Sequence, residues 1–237
     1  MLLEWTIKAL NVIVFTIEDF PFSLIENVYI TTFQCWVLIF ILVAILTLLH
    51  TRTFRTVILI SCLGVVFSLA QWYHFHQNVN VKKFMVYNVA GHSAVDLIDN
   101  GSAYFIADTA LQNNADRISF HITPHRIKAG IRRTIPPGPG FQQQLSGCAL
   151  MVWKGKSFLR IYDRKFAIPD GLTVDFLIVS NNAVNNFQEL DLRIHIGQLI
   201  LDSSNSTYFV KHFLDETKTL NTNIYSVLQE GAFELHI

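Results

Sequence analysis

Few side chains in this sequence could do chemistry, and their spacing decides among them. His121 and His125 stand four apart in HITPH, the spacing that on one helix puts two metal ligands on one face. Pro124 sits between them, no glutamate follows as in HExxH, and no acidic ligand is near. His92, Ser93 and Asp96 supply the residue types of a nucleophilic triad. Ser93 lacks the GxSxG elbow, and residues this close along one strand do not converge. His74 and His76, two apart in HFH, close an apolar run and read as interfacial polar residues. No GxxxxGK(S/T) loop is present, which excludes a nucleotide-driven motor. Cys35, Cys62 and Cys148 form no CxxC pair and no even framework, so neither disulfides nor a thiolate zinc site is expected. No catalytic residue, metal or cofactor is expected on these grounds.

What remains is charge. From Arg117 to Lys165 there are ten Lys/Arg against one acid, Asp163; from Phe166 to Ile237 the balance reverses to three against nine. A basic block of this kind can meet phosphate, in lipid headgroups or in nucleic acid. It can equally be a solvated surface paired with the acidic C-terminal third. Phe120, Phe141 and Trp153 interleave with it, as stacking platforms or, more simply, as core residues.

The elements that must carry these residues change in kind along the chain. Only 15% of the 237 residues are charged and 51% are hydrophobic, against about 25% charged in a soluble domain. Residues 1–27 hold an apolar stretch interrupted by Glu4 and Lys8, a partial membrane or interfacial helix without a convincing signal peptide, then the breaking stretch PFSLIENVY. Its abrupt start points to a piece of a longer protein. Residues 28–76 read as a transmembrane helical hairpin, with helices over about 28–49 and 55–76. His50, Arg52 and Arg55 at the tip favour a cytoplasmic turn and put both ends on the outer face, although Lys82 and Lys83 flank the far end. From residue 79 to 237 the period falls to two, with short strands in KFMVYNV, AVDLID, AYFIAD, CALMVW, SFLRIY, TVDFLIVS, GQLILDSS, NIYSV and AFELHI. Helical segments are expected around 110–123, 124–130 and 206–220, SNNAVNN is a turn entering a short helix, and IPPGPG is a loop. The fold class is membrane-anchored α+β, in two layers or more.

The stretch VYNVAGHSAVDLIDNGSAYFIAD resembles the opening of a metallo-β-lactamase-type domain, whose usual form is a strand, DVGQGDA, and a strand ending in IDTG. Asn88 then replaces the first Asp, Gly91-His92-Ser93 fills the QGD turn, and Asp108-Thr109-Ala110 stands for Asp-Thr-Gly. DFLIVSNNAV is similar to the strand-turn DVLIVSHHGS, while LDSSNSTYFVKHF and NIYSVLQEGAFELHI resemble the closing part. Two spanning helices leading straight into such a domain resemble the C-terminal arrangement of ComEC-type competence proteins, inner-membrane channels that import transforming DNA. The resemblance covers about Pro21 to Ile237.

The resemblance implies an αββα-type domain, here degenerate. HxHxDH is missing and Asn181 and Asn182 stand where paired histidines are usual, so no metal and no enzyme activity are expected. Asp108 is then expected to cap the following turn. The implied role is part of a DNA-uptake protein of the inner membrane, multi-pass, with this domain on the periplasmic face. The implied partners are DNA backbone, membrane lipid and an N-terminal competence domain outside this chain. The residues expected to meet phosphate are Arg117, Arg126, Lys128, Arg132, Arg133, Lys154, Lys156 and Arg160. The alternative is a membrane-tethered structural or interaction domain with no nucleic-acid role.

Overall fold

The computed structural model describes residues 2–20, 29–79, 81–138, 141–185, 190, 193–217 and 223–237. The chain divides into two compact units, residues 1–71 and 72–237. The expected breaking stretch 21–28 and the helix expected to follow Asn185 lie outside the described residues.

In the first unit, α1 (Leu2–Glu18) exposes its apolar side chains, with Glu4 and Lys8 paired at 2.9 Å along one flank. α2 (Thr32–Thr51) starts at a reciprocal cap: the Gln34 N–H donates to the Thr31 hydroxyl, and the Gln34 side chain accepts from the Thr31 N–H. This cap places the start four residues later than the apolar run alone indicates. α2 ends at Arg52 in a left-handed conformation, and α3 (Phe54–Val79) follows. Thr32–Thr51 and Phe54–His74 are long and apolar enough to cross a membrane. Their contact is closed at one end by the Gln34 amide donating to Gln71 at 2.7 Å, with Val37 and Ala44 buried along the same face of α2. Most of the other apolar side chains of the two helices, among them Trp36, Leu46, Val65 and Leu69, are exposed.

The second unit holds two sheets. β1 (Lys82–Val86), β2 (Ala94–Asp99), β3 (Ser102–Ala107), β4 (Arg133–Ile135) and β11 (Phe233–His236) make a five-stranded sheet in the order β11-β1-β2-β3-β4. β5 (Gln143–Leu145), β6 (Cys148–Trp153), β7 (Lys156–Ile161), β8 (Leu172–Val179), β9 (Ile194–Leu201) and β10 (Asn223–Ser226) make a six-stranded sheet in the order β10-β9-β8-β7-β6-β5. The first is antiparallel except for the β3–β4 pair. In the second, β7 to β10 run parallel and the β5–β6–β7 meander antiparallel.

Alternation along the strands decides what each face buries. Phe84, Val86, Val95 and Leu97 of the first sheet meet Met151, Phe158, Phe176 and Ile178 of the second. Phe84 stacks on Phe158 at 4.3 Å between ring centres, and Phe158 on Phe176 at 5.1 Å. The outer face of the first sheet is covered by α4 (Thr109–Gln112), α5 (Ala115–His121) and α6 (Thr123–Lys128), through Leu111 and Ile122 against Met85 and Tyr87. The outer face of the second is covered by α7 (Thr207–Thr217), through Val210 and Phe213 against Leu177 and Leu199. A short α8 (Val227–Glu230) closes the β10 end. The class is α+β as expected, in four layers of helix, sheet, sheet and helix. The three-residue strands β4 and β5 are additions to the strands read from sequence, being too short for a period to register.

Candidate functional site

The register of both sheets brings the ends of β1, β3, β7, β8 and β9 and the start of β2 to one end of the sandwich, where Val86 pairs with Val95, Ala94 with Ala107, and Ile161 and Leu201 with Val179. Polar side chains that close the apolar strands therefore converge there. Ser93 and Ser180 approach from the two sheets with their hydroxyls 3.4 Å apart. Ser203 ties the first sheet to the second: its hydroxyl accepts from the Val89 N–H at 3.0 Å and lies 2.9 Å from the His92 carbonyl, while its carbonyl accepts from the Gly91 N–H.

Two carboxylates anchor this end. Asp108, at the end of β3, accepts from the Ser93 N–H at 2.9 Å, from the Leu111 N–H at 2.8 Å and from His92 Nδ1 at 3.1 Å. It is the N-cap of α4, the role its place before TALQ predicts. Burial alone would raise its pKa, but those N–H groups and the imidazole hold it below the usual carboxylate range. Asp202, at the end of β9, is fully buried and accepts from the Ser180 and Ser204 hydroxyls, each at 2.5 Å, and from the Ser204 N–H at 3.0 Å. Burial pushes its carboxyl up despite the serine hydroxyls and nearby Arg160.

The two asparagines after β8 are structural links. Asn181 and Asn182 both take positive φ, 56° and 53°. The Asn182 side-chain oxygen accepts from the Ser206 N–H at 2.8 Å, and the Asn181 amide donates to the Tyr162 carbonyl at 3.3 Å. A metal ion does not fit this donor set. The Asp108 and Asp202 oxygens already accept from protein donors, amides and hydroxyls fill the turn, and among the described residues no group of three or more His, Cys, Asp or Glu is placed to hold a metal ion. His121 and His125 fall on separate helices, α5 and α6, because α6 begins at Thr123 with Pro124 in its first turn. His125 Nδ1 lies 3.3 Å from the Tyr87 hydroxyl.

The basic residues do not share one face. Arg117 reaches the Ala90 carbonyl at 3.1 Å, near the convergent strand ends. Lys128, Arg132 and Arg133 are exposed. Arg133 pairs with Ser102, and Lys154 bonds Asp99 at 2.6 Å, which places both at the opposite end of the sandwich. Lys156 bonds Asp175 at 3.0 Å; with the Ser157 N–H as the largest contributor, this pair and the Ser157 hydroxyl hold Asp175 at about 2. Two of the eight basic residues are drawn into contacts within the domain. Arg126 is buried, and both edges of its guanidinium are held by Asp96 inside the helix–sheet layer. Arg160 is half-buried at the strand ends, donating to the Ser180 hydroxyl at 3.3 Å, where burial lowers its pKa against the pull of Asp202 and Asp108. Of the aromatics, Trp153 and Phe141 are packed, against the core and Tyr104, but Phe120 is 78% exposed.

The sequence reading passed over Asp202, although its signal is the one that marks Asp108: a carboxylate closing an apolar run, LILD beside YFIAD. It also passed over Arg164 and Tyr208, two exposed side chains with no pattern to single them out.

The second unit is thus a four-layer α+β domain whose polar strand ends are joined by hydroxyls and amides, and it is preceded by two helices long and apolar enough to cross a membrane. Residues 84–237 match the family described as the ComEC C-terminal domain, and the chain belongs to that family. The membership supports a part in competence, the uptake of DNA, and association with a membrane. No curated protein and no solved structure matches the chain.

Proposed function

We propose that this chain is the C-terminal portion of an inner-membrane DNA-uptake protein. Its domain meets incoming DNA through the phosphate backbone, without sequence preference and without catalysing a reaction. The observation that carries the reading is the family match over residues 84–237, directly after two helices of spanning length. Arg117, Lys128, Arg132 and Arg133 remain exposed cations, and Lys154 and Lys156 lie at the surface with one acidic partner each. Contacts of this kind give salt-sensitive binding that ignores sequence.

Degenerate kinship with metallo-β-lactamase-type domains is part of the proposal. The four layers and Asp108 at the end of β3 support it, as does the Asn181-Asn182 turn at the end of β8. The hairpin tip carries His50, Arg52 and Arg55, favouring a cytoplasmic tip and a periplasmic domain. A pore is expected from an N-terminal competence domain, and lipid contact from the apolar helices. The test is binding of labelled DNA to the full chain in detergent across a salt series; affinity that falls steeply with salt supports the reading.

A second reading, a membrane-tethered structural or interaction domain, is favoured by one observation. Lys154 and Lys156 are held by the domain's own Asp99 and Asp175, as a mixed self-paired surface would have it. Absence of DNA binding at every salt concentration selects it.

A further inference from the structure

Beside the strand-end network, and sharing Asn182 and Ser206 with it, one hollow combines the groups that an unpaired nucleic-acid strand needs. It has a volume of about 320 Å³ and lies between α7 and the turn that follows β8. Tyr208, on the first turn of α7, is 81% exposed, an unusual state for so large an aromatic ring. It is not loose. The His212 ring stacks beside it at 6.3 Å between centres and 29° between planes, and His212 is in turn steadied by Glu216 at 3.5 Å. The hollow is also lined by Arg164, an exposed cation, and by Asn182 and Asn185. An adjoining hollow of about 270 Å³ shares Arg164 and Asn185 and adds Arg193, whose guanidinium is held by Asp170 at 2.7 Å, so Arg164 is the cation the groove offers.

We infer that this groove binds a nucleic-acid strand with unpaired bases, one base stacking on Tyr208 while Arg164 meets the adjacent phosphate. The chemistry separates this ligand from duplex DNA, because an aromatic face can stack only on a base whose own face is free. It separates it from a lipid surface as well, since a lipid headgroup has nothing to stack. The Asn185 amide can donate and accept at a base edge without selecting one base, while the Asn182 side-chain oxygen is already held by the Ser206 N–H. Among the described residues Glu216 is the one carboxylate lining this hollow, and the His212 ring stands beside it. The inference rests on the proposed DNA contact and gives it a place and a strand form, one that the basic residues at the far end of the sandwich do not supply.

The test measures binding of labelled oligo(dT) and of a labelled duplex to the full chain in detergent. Tyr208→Ala is expected to weaken oligo(dT) binding about tenfold and to leave duplex binding unchanged, with Tyr208→Phe behaving as the unmodified chain. Arg164→Glu is expected to weaken oligo(dT) and to flatten the salt dependence. Both side chains are exposed, so neither change threatens folding. If both variants bind oligo(dT) as the unmodified chain does, while the paired reversal Arg132→Glu with Arg133→Glu abolishes binding, the groove is wrong and the DNA-contact reading stands. If the unmodified chain binds neither probe, that reading falls and the groove with it.

Discussion

Arg126 grips Asp96 along both edges, Nε 2.7 Å from Oδ2 and Nη2 2.8 Å from Oδ1, with the guanidinium 4.4 Å over the Phe105 ring and the Tyr87 hydroxyl donating to the same carboxylate at 2.8 Å. The pair joins α6 to the middle of β2. It is a bidentate charge pair in the interior, the geometry in which removing one partner leaves the other charged, desolvated and alone.

Arg126→Ala is therefore expected to destabilise the domain by about 3–5 kcal/mol, read as a drop in thermal midpoint. Its effect on DNA binding should follow the folded fraction alone. A variant of unchanged stability that had lost DNA affinity would restore Arg126 to the surface contacts and contradict its assignment to the core.

Asp108 gives a prediction in pH. Its folded pKa lies below the ordinary value, about 4 in an unfolded chain. Between those two values the unfolded chain binds more protons, so the stabilisation is fully present above about pH 4 and is lost as pH falls through the folded value. Asp108→Asn, which keeps a capping side chain, should flatten the acid limb of urea midpoints measured across pH. An unchanged limb would assign that limb to other carboxylates.

Gly197 sits in β9 where a Cβ would stand 2.7 Å from the Asp175 carbonyl oxygen of β8. That is backbone, with no flexible side chain to give way. Gly197→Ala is expected to cost about 1–3 kcal/mol, again as a lowered thermal midpoint, whereas Gly155→Ala in the β6–β7 turn meets no atom within 4 Å and is strained only by its φ of 78°.

In the hairpin, the Gln34–Gln71 bond is a side-chain link between the two long helices. Gln34→Leu should weaken their association by about 1 kcal/mol, measured by denaturant-driven separation of labels placed on the two helices. An intact association would mean that packing along Val37 and Ala44 suffices.

Much of this architecture is legible in the residues themselves. Period-two runs such as AVDLID and SFLRIY mark strands because one face of each meets the other sheet, and the uncharged runs mark the long helices because nothing in them requires water. The boundaries were less legible where a partner rather than a period sets them. β9 begins at Ile194, three residues before the expected Gly197, because β8 offers Leu172 to pair with it. β4 exists because the edge of β3 is free to take three residues. The fate of Arg126 was hidden for the same reason: its partner Asp96 is thirty residues away, and a charge count cannot tell an exposed cation from a paired one. Tyr208 was hidden because exposure of a single aromatic is a property of the fold and leaves no pattern along the chain.

The most direct test of the account compares two labelled DNAs of unrelated sequence for binding to the full chain in detergent, across a salt series and with manganese or zinc added. Equal affinities that fall together as salt rises, without cleavage in any lane, are the predicted result. Binding to neither DNA even at low salt, a marked preference for one sequence, or metal-dependent cutting would contradict it.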